Sequence, residues 1–158
     1  MQPEFLMELF KLCRENKIHT ALDTSGYIFN EKAKKVLELV DMVLLDIKHI
    51  NPEKYKILTS VDLENTLKFA KYLKEINKPV WLRYVLVPGY SDDVEDLHKW
   101  AQYCSKFKNV ERVDILPFHQ MGTPKWDTMK KEYLKIMQKM FWMVQKVKNT
   151  FLNLWILL

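Results

Sequence analysis

Five ionisable side chains stand where apolar, strand-like runs of this sequence end, and together they have the chemistry of a binding site. They are Asp23, Asp46, Lys48, Arg83 and His119, and the runs cover residues 19–26, 42–49, 80–89 and 113–122. The three glycines of the chain, at positions 26, 89 and 122, also lie just past such runs, where a chain must turn into a loop. Because the carboxyl ends of parallel strands meet at one edge of a sheet, we expect these side chains to form one site.

The pair Asp46 and Lys48 is the most specific part of this pattern. Side chains two positions apart lie on the same face of a strand. An acid and a base placed together suit a zwitterionic ligand such as an amino acid, with Asp46 addressing the ammonium and Lys48 a carboxylate or hydroxyl. The alternative is an exposed ion pair, which contributes less than about 1 kcal/mol.

Asp23 is followed by two hydroxyl residues and Gly26. A carboxylate and hydroxyls at a strand end can ligate a cation or hold a polar ligand. The same residues also form Asx-type turns, in which Asp23 would only satisfy backbone amides.

Arg83 and His119 each have a functional and a structural interpretation. Arg83 lies within the apolar run 81–87, so it must point into a polar cavity or pair with an acid. It would therefore bind an anion or a peptide carbonyl, or form a structural salt bridge. His119 comes directly after Leu116, Pro117 and Phe118. It can donate a hydrogen bond to a ribose or a carboxylate or move a proton; in the structural interpretation it is only a hydrogen-bonded side chain.

Composition excludes several classes of protein. The chain has 158 residues, of which 48% are hydrophobic, so it can build a core. Its net charge is +5, but the lysines are spread over helical segments, which argues against nucleic-acid binding. The sequence contains no apolar stretch of 18 residues, so no membrane span is predicted. Cys13 and Cys104 are predicted to be small buried hydrophobes of a reducing cytosol, and the sequence contains no ligand set for a zinc ion or an iron–sulfur cluster.

Helical patterns alternate with the strand-like runs and predict an α/β fold with parallel pairing. Four helices are expected: two over about residues 4–16 and 62–76, and two that begin at the N-cap Asn30 and after residue 91. At the start of the last helix, Asp92 and Glu95 have the spacing of a capping box. Residues 51–60 are expected to be a connection. We predict one domain over 1–132, followed by an atypical apolar and basic helix over 133–158.

Five segments in this order resemble the pyruvate formate-lyase-activating enzymes, a family of radical S-adenosylmethionine (SAM) enzymes. They are Leu22–Gly26, Leu45–Lys48, Asn65–Ala70, Trp81–Asp93 and Leu116–His119. The likeness covers roughly residues 1 to 133. It implies a partial (β/α)6 barrel, of which this chain would form about four β/α units, the last four strands.

The resemblance also implies roles for individual residues. Asp46, Ile47, Lys48 and His119 match residues that bind SAM, and Arg83 matches an arginine near the bound glycyl loop of the lyase. A monovalent-cation site corresponds to Asp23, Thr24 and Asp46. No catalytic residue and no cluster ligand is predicted within this chain.

The implied reaction begins when a reduced [4Fe–4S] cluster cleaves SAM to a 5′-deoxyadenosyl radical, which abstracts hydrogen from a glycine of pyruvate formate-lyase. The implied partners are that lyase and a flavodoxin- or ferredoxin-type reductant, and the implied location is the cytoplasm. The family's C-x3-C-x2-C motif and its glycine-rich SAM segment are missing here, so we expect an inactive C-terminal fragment of such an enzyme. Two alternatives stay open: an activase of another glycyl radical enzyme, and a truncated or split-gene remnant that only binds a partner fragment.

Overall fold

Four parallel strands form one sheet in the order β1-β2-β3-β4, so each strand pairs with its neighbours in sequence. The computed structural model describes residues 2–118 and residue 128. The strands are β1 (Ala21–Thr24), β2 (Met42–Asp46), β3 (Val80–Leu86) and β4 (Val110–Pro117). Helices precede or separate all four strands, which confirms the predicted α/β fold with parallel pairing.

Five helices lie within the described residues: α1 (Pro3–Glu15), α2 (Glu31–Leu39), α3 (Pro52–Thr59), α4 (Glu64–Glu75) and α5 (Val94–Cys104). Asn30 caps α2 as predicted, because its side chain accepts a hydrogen bond from the amide of Ala33 at 3.0 Å. The predicted boundary at residue 132 and the predicted helix over 133–158 lie outside the described residues.

Two local predictions were wrong. The expected connection over 51–60 contains α3, because the Asn51 side chain accepts from two amides of its first turn and Pro52 occupies a position that needs no amide donor. The N-cap of α5 is Asp93, not Asp92, since Asp93 accepts from the amide of Asp96 at 3.0 Å. Asp92 instead accepts from the amide of Gly89 at 2.8 Å, which fixes the turn after β3.

The strands bury one face against the helices. In β3 burial alternates strictly, so that every second residue is buried and the residues between are half-buried. The buried residues are Val80, Leu82, Tyr84 and Leu86, which join one hydrophobic cluster with apolar residues of all five helices. The opposite face of the sheet therefore carries the remaining side chains, which include Arg83.

None of the helices in the described part of the chain is long and apolar enough to cross a lipid bilayer.

Candidate ligand-binding site at the carboxyl ends of the strands

Arg83 joins the carboxylates of two neighbouring strands. It is the register partner of Asp46, and its Nε donates to Asp46 Oδ1 at 2.7 Å. Its Nη2 donates to Oδ1 of Asp23 on β1, so the guanidinium reaches across β2. Asp23 pairs with Leu44, two residues before Asp46, which places all three charged groups on the face opposite the helices.

Lys48 completes this cluster from the segment that follows β2. Its Nζ donates to Oδ2 of Asp46 at 2.5 Å, as expected for side chains two positions apart. Both oxygens of Asp46 therefore accept from a basic group, one from Arg83 and the other from Lys48. The acid and the base are therefore in contact, although β2 ends at Asp46 and Lys48 lies beyond the strand.

Exposure within the cluster decreases from its edge to its centre. The Asp23 side chain is 63% exposed and that of Lys48 32%, whereas those of Asp46 and Arg83 are only 16% and 17% exposed. Partial burial lowers the pKa of Arg83, but the hydrogen bond to Asp23 and the charges of Asp46 and Asp23 outweigh burial, so the pKa is raised. The guanidinium is thus a permanent hydrogen-bond donor and not a proton carrier.

A hydrogen-bonded turn follows β3, the strand that carries Arg83. Ser91 is fully buried, and its Oγ accepts from the amide of Val87 at 2.7 Å and donates to the carbonyl of Val85 at 2.8 Å. The Tyr84 hydroxyl donates to the carbonyl of Ser91 at 3.0 Å. These bonds tie the end of β3 to the backbone that follows it.

The structure separates some predicted site residues from others. The side chain of Ile47 is fully buried in the hydrophobic cluster, so Ile47 can meet a ligand only through its main chain. Thr24 is the register partner of the buried Leu45, on the face opposite Asp23, and its hydroxyl accepts from the amide of Gly26 at 3.0 Å. His119 lies outside the described residues, so its predicted role stays a prediction.

Sequence reasoning missed Asp114 of β4. It is the register partner of Arg83 on the side away from β2, and its side chain is 21% exposed. Arg112 donates to Asp114 Oδ1 at 2.8 Å, and the Arg112 guanidinium lies 4.8 Å from the centre of the Trp81 ring. The period-two placement of Arg112 and Asp114 predicts that the two charges share a face of β4, but only the register with β3 makes this the face of Arg83.

The described residues supply no ligand set for an iron–sulfur cluster, and the monovalent-cation site implied at Asp23, Thr24 and Asp46 stays a prediction. Among residues 2–118 and 128, no three His, Cys, Asp or Glu side chains are grouped so as to hold a metal ion. Protein iron–sulfur clusters need several thiolates, and the chain has two cysteines. Cys104 is buried in α5, where burial raises the pKa of its thiol, which opposes thiolate formation.

Comparison with known proteins identifies the family. The model of the radical SAM superfamily matches residues 1–101, and the chain belongs to that superfamily. It is 48% identical over 132 residues to the pyruvate formate-lyase-activating enzyme of Streptococcus mutans, covering 80% of this chain and 50% of the relative. It is 41% identical over 135 residues to the pyruvate formate-lyase 1-activating enzyme of Escherichia coli K12, covering 84% and 55%. The chain thus spans about half the length of these relatives.

A solved structure shows the same fold. A domain of pyruvate-formate lyase-activating enzyme from Bacteroides vulgatus superposes with a TM-score of 0.78 at 22% sequence identity, covering 96% of this chain and 86% of that domain. The predicted fold, a partial-barrel α/β structure of the radical SAM type, is confirmed.

Proposed function

We propose that this chain is the part of a pyruvate formate-lyase-activating enzyme that binds SAM and the glycyl loop of the lyase. The observation that carries the proposal is the cluster of Asp23, Asp46, Lys48 and Arg83 at the carboxyl ends of β1 to β3. The sequence identity to activating enzymes of that name supports it.

SAM suits the Asp46–Lys48 pair because its methionyl end carries an ammonium and a carboxylate. Asp46 would accept a hydrogen bond from the ammonium and Lys48 would donate to the carboxylate, each replacing a bond that the two residues now make with each other. The main chain of Ile47 and the imidazole of His119 would complete the contacts. When bound in the complete enzyme, SAM supplies the group that abstracts hydrogen from glycine.

Arg83 would position the substrate. Its guanidinium is planar, permanently charged and only 17% exposed, so it can donate two parallel hydrogen bonds to peptide carbonyls with little loss of solvation. The hydrogen bonds of Ser91 hold the end of the strand that carries Arg83. Such positioning accounts for much of the rate in reactions whose chemistry a cofactor performs.

We propose further that the chain alone does not generate the radical, because its two cysteines do not fit the cluster. A flavodoxin- or ferredoxin-type reductant would serve the complete enzyme, and a cytoplasmic location follows from these proposed partners. Reconstitution of the 158-residue chain with iron and sulfide should give no charge-transfer absorbance of a cluster, and a stable cluster would contradict the proposal.

Calorimetric titration with SAM tests the site directly. Lys48→Gln should weaken binding roughly 10- to 100-fold, the usual loss for a hydrogen bond to a charged group. Lys68→Gln is the matched control, since Lys68 pairs with Glu64 on the exposed surface of α4. Equal affinities for the two variants would refute the assignment. Binding to pyruvate formate-lyase but not to another glycyl radical enzyme would exclude the alternative substrate.

A further inference from the structure

Two buried hydroxyl groups connect α3 and α4 to the turn that follows β1, at residues 25–26. Thr66 of α4 is fully buried, and its Oγ1 donates to the carbonyl of Ser25 at 2.9 Å. Tyr55 of α3 is 1% exposed, and its hydroxyl lies 2.9 Å from the same Thr66 oxygen. Ser25 comes directly after β1, two residues beyond Asp23. Tyr55 and Thr66 thus form a hydroxyl bridge from two helices to the backbone beside a member of the charged cluster.

We propose that Tyr55 and Thr66 are positioning residues for the ligand-binding site, which hold the turn after β1 so that Asp23 stays paired with Arg83. The inference rests on the proposed function in treating the charged cluster as the binding site. It adds two residues that lie outside the cluster and act on it through the backbone, and it gives α3 and α4 a role in the site.

The chemistry of the two hydroxyls fixes the direction of their hydrogen bonds. A threonine hydroxyl carries one hydrogen, and Thr66 gives it to the Ser25 carbonyl, which can only accept. The Tyr55 hydroxyl must therefore donate to Thr66. Each hydrogen bond in such a series polarises the next one, so the bond from Tyr55 strengthens the bond that Thr66 makes to the turn. Loss of either hydroxyl should weaken the same contact.

Apolar packing against α4 supports the same turn. Gly26 is buried, and a Cβ atom there would lie 2.9 Å from the ring of Phe69. The rings of Phe69 and Phe29 meet edge to face, with their centroids 5.6 Å apart. Phe69 and Thr66 are three positions apart in α4, so they share a face of the helix. One face of α4 therefore supplies both a polar and an apolar contact to the turn after β1.

The other end of the hydroxyl bridge is tied to the segment that carries Lys48. The amide of Tyr55 donates to the carbonyl of Asn51 at 2.9 Å, in the first turn of α3. The Asn51 amide donates to Nδ1 of the buried His49, the residue after Lys48. The bridge thus joins the segments after β1 and β2, which carry the two most exposed members of the cluster, Asp23 and Lys48. Because packing holds exposed side chains least, their positions depend on the backbone that the bridge supports.

Nuclear magnetic resonance of the 158-residue chain, without SAM, tests the positioning. The readout is the Nε–H signal of Arg83, whose guanidinium donates to the carboxylates of β1 and β2. Asp23→Asn gives the reference shift for a guanidinium that has lost its charged partner on β1. Thr66→Val and Tyr55→Phe should both move the signal in that direction, and Thr66→Val should move it further because it removes the direct bond to the turn. A signal that does not move in this direction in either variant would overturn the proposal.

Thr20→Val is the matched control. The Thr20 hydroxyl is also buried and donates to Asp41 Oδ2 at 2.8 Å, but it lies just before β1, at the opposite end of the strand from the turn. Its loss should lower the thermal midpoint and leave the Arg83 signal in place. Thr66→Ser keeps the hydroxyl and should restore the signal of the unchanged chain. Equal shifts in Thr20→Val and Thr66→Val, or no restoration by serine, would mean that Thr66 acts only on stability, and would overturn its role.

Calorimetric titration with SAM extends the test to the ligand. Thr66→Val should weaken binding roughly 2- to 10-fold, the loss that one supporting hydrogen bond produces, whereas Thr20→Val should not change it. Equal affinities for the two variants would overturn the link between the bridge and ligand binding. If Thr66→Val does not fold, Tyr55→Phe takes its place, since it removes one oxygen and keeps the ring. If the unchanged chain does not bind SAM, the proposed function fails, while the Arg83 signal still decides whether the bridge positions the cluster.

Discussion

The imidazole of His49 accepts a hydrogen bond at Nδ1 from the amide of Asn51 at 2.9 Å, and its Nε2 lies 3.7 Å from Oδ2 of Asp96. The side chain is 0% exposed. Burial lowers the pKa of His49, and the negative charge of Asp96 offsets this only in part. Lys54 occupies the same Asp96 oxygen at 2.5 Å, so Asp96 does not depend on an imidazolium partner. The fold therefore holds His49 neutral.

This environment makes stability depend on pH. The unfolded chain binds a proton at His49 more readily than the folded chain. The contribution of His49 to the free energy of unfolding is therefore complete above the unfolded pKa of about 6.5, and it is lost as the pH falls through the lowered folded pKa. We expect the His49→Gln variant to lose less of its free energy of unfolding as the pH falls below about 6.5, measured by urea titration at each pH. His98→Gln, at an exposed position of α5, should retain it. An equal dependence of the free energy of unfolding on pH in both variants would contradict the prediction.

Gly26 is predicted to tolerate no side chain. Its φ is +68°, and a Cβ atom there would lie 2.9 Å from the ring of Phe69. Gly26→Ala should cost about 2–4 kcal/mol, from the left-handed backbone and from overpacking. Gly89 has a φ of +77°, but a Cβ atom there would have no neighbour within 4 Å among the described residues, so Gly89→Ala should cost only about 1–2 kcal/mol. Denaturant unfolding measures both, and equal losses would show that Phe69 simply moves aside.

Ser91 is predicted to stabilise the turn after β3. Ser91→Ala removes the acceptor of the Val87 amide and should cost about 1–3 kcal/mol, because a buried donor loses its partner. Ser105→Ala is the control, since the Ser105 hydroxyl bonds the carbonyl of Gln102 at an exposed helix end. Chemical denaturation compares the two. A loss at position 91 no greater than at position 105 would mean that the turn keeps its shape without the hydroxyl.

The two cysteines are predicted to differ in reactivity. Cys104 is buried and burial raises the pKa of its thiol, whereas Cys13 is half-buried, and both are free. A thiol reagent should label one cysteine of the native chain quickly and the second only on unfolding. Cys13→Ala should abolish the fast phase and leave the slow one. Rapid labelling of both thiols in the native chain would contradict the burial of Cys104.

Much of the fold and part of the site could be predicted from local pattern. The strand runs, the Asn30 cap and the contact between Asp46 and Lys48 follow from local sequence patterns and from capping chemistry, which depend on neighbours in sequence. The partners of Arg83 could not be predicted, because the ion pair with Asp46 depends on the register between β2 and β3. The helix after Asn51 was missed because its eight residues carry little apolar periodicity. Asp114 was missed because only pairing with β3 places it beside Arg83.

Because buried and half-buried residues alternate strictly along β3, neighbouring positions of this strand are under different evolutionary constraints. Changes at Leu82 or Tyr84 would disturb the hydrophobic cluster, while changes at Arg83 would alter the charged face that we propose binds the ligand. An evolving gene could therefore retune recognition at odd-numbered codons of this strand while the even-numbered ones remain under selection for folding. A library randomised at alternate positions of residues 80–86 would sample new ligands at little risk to the scaffold.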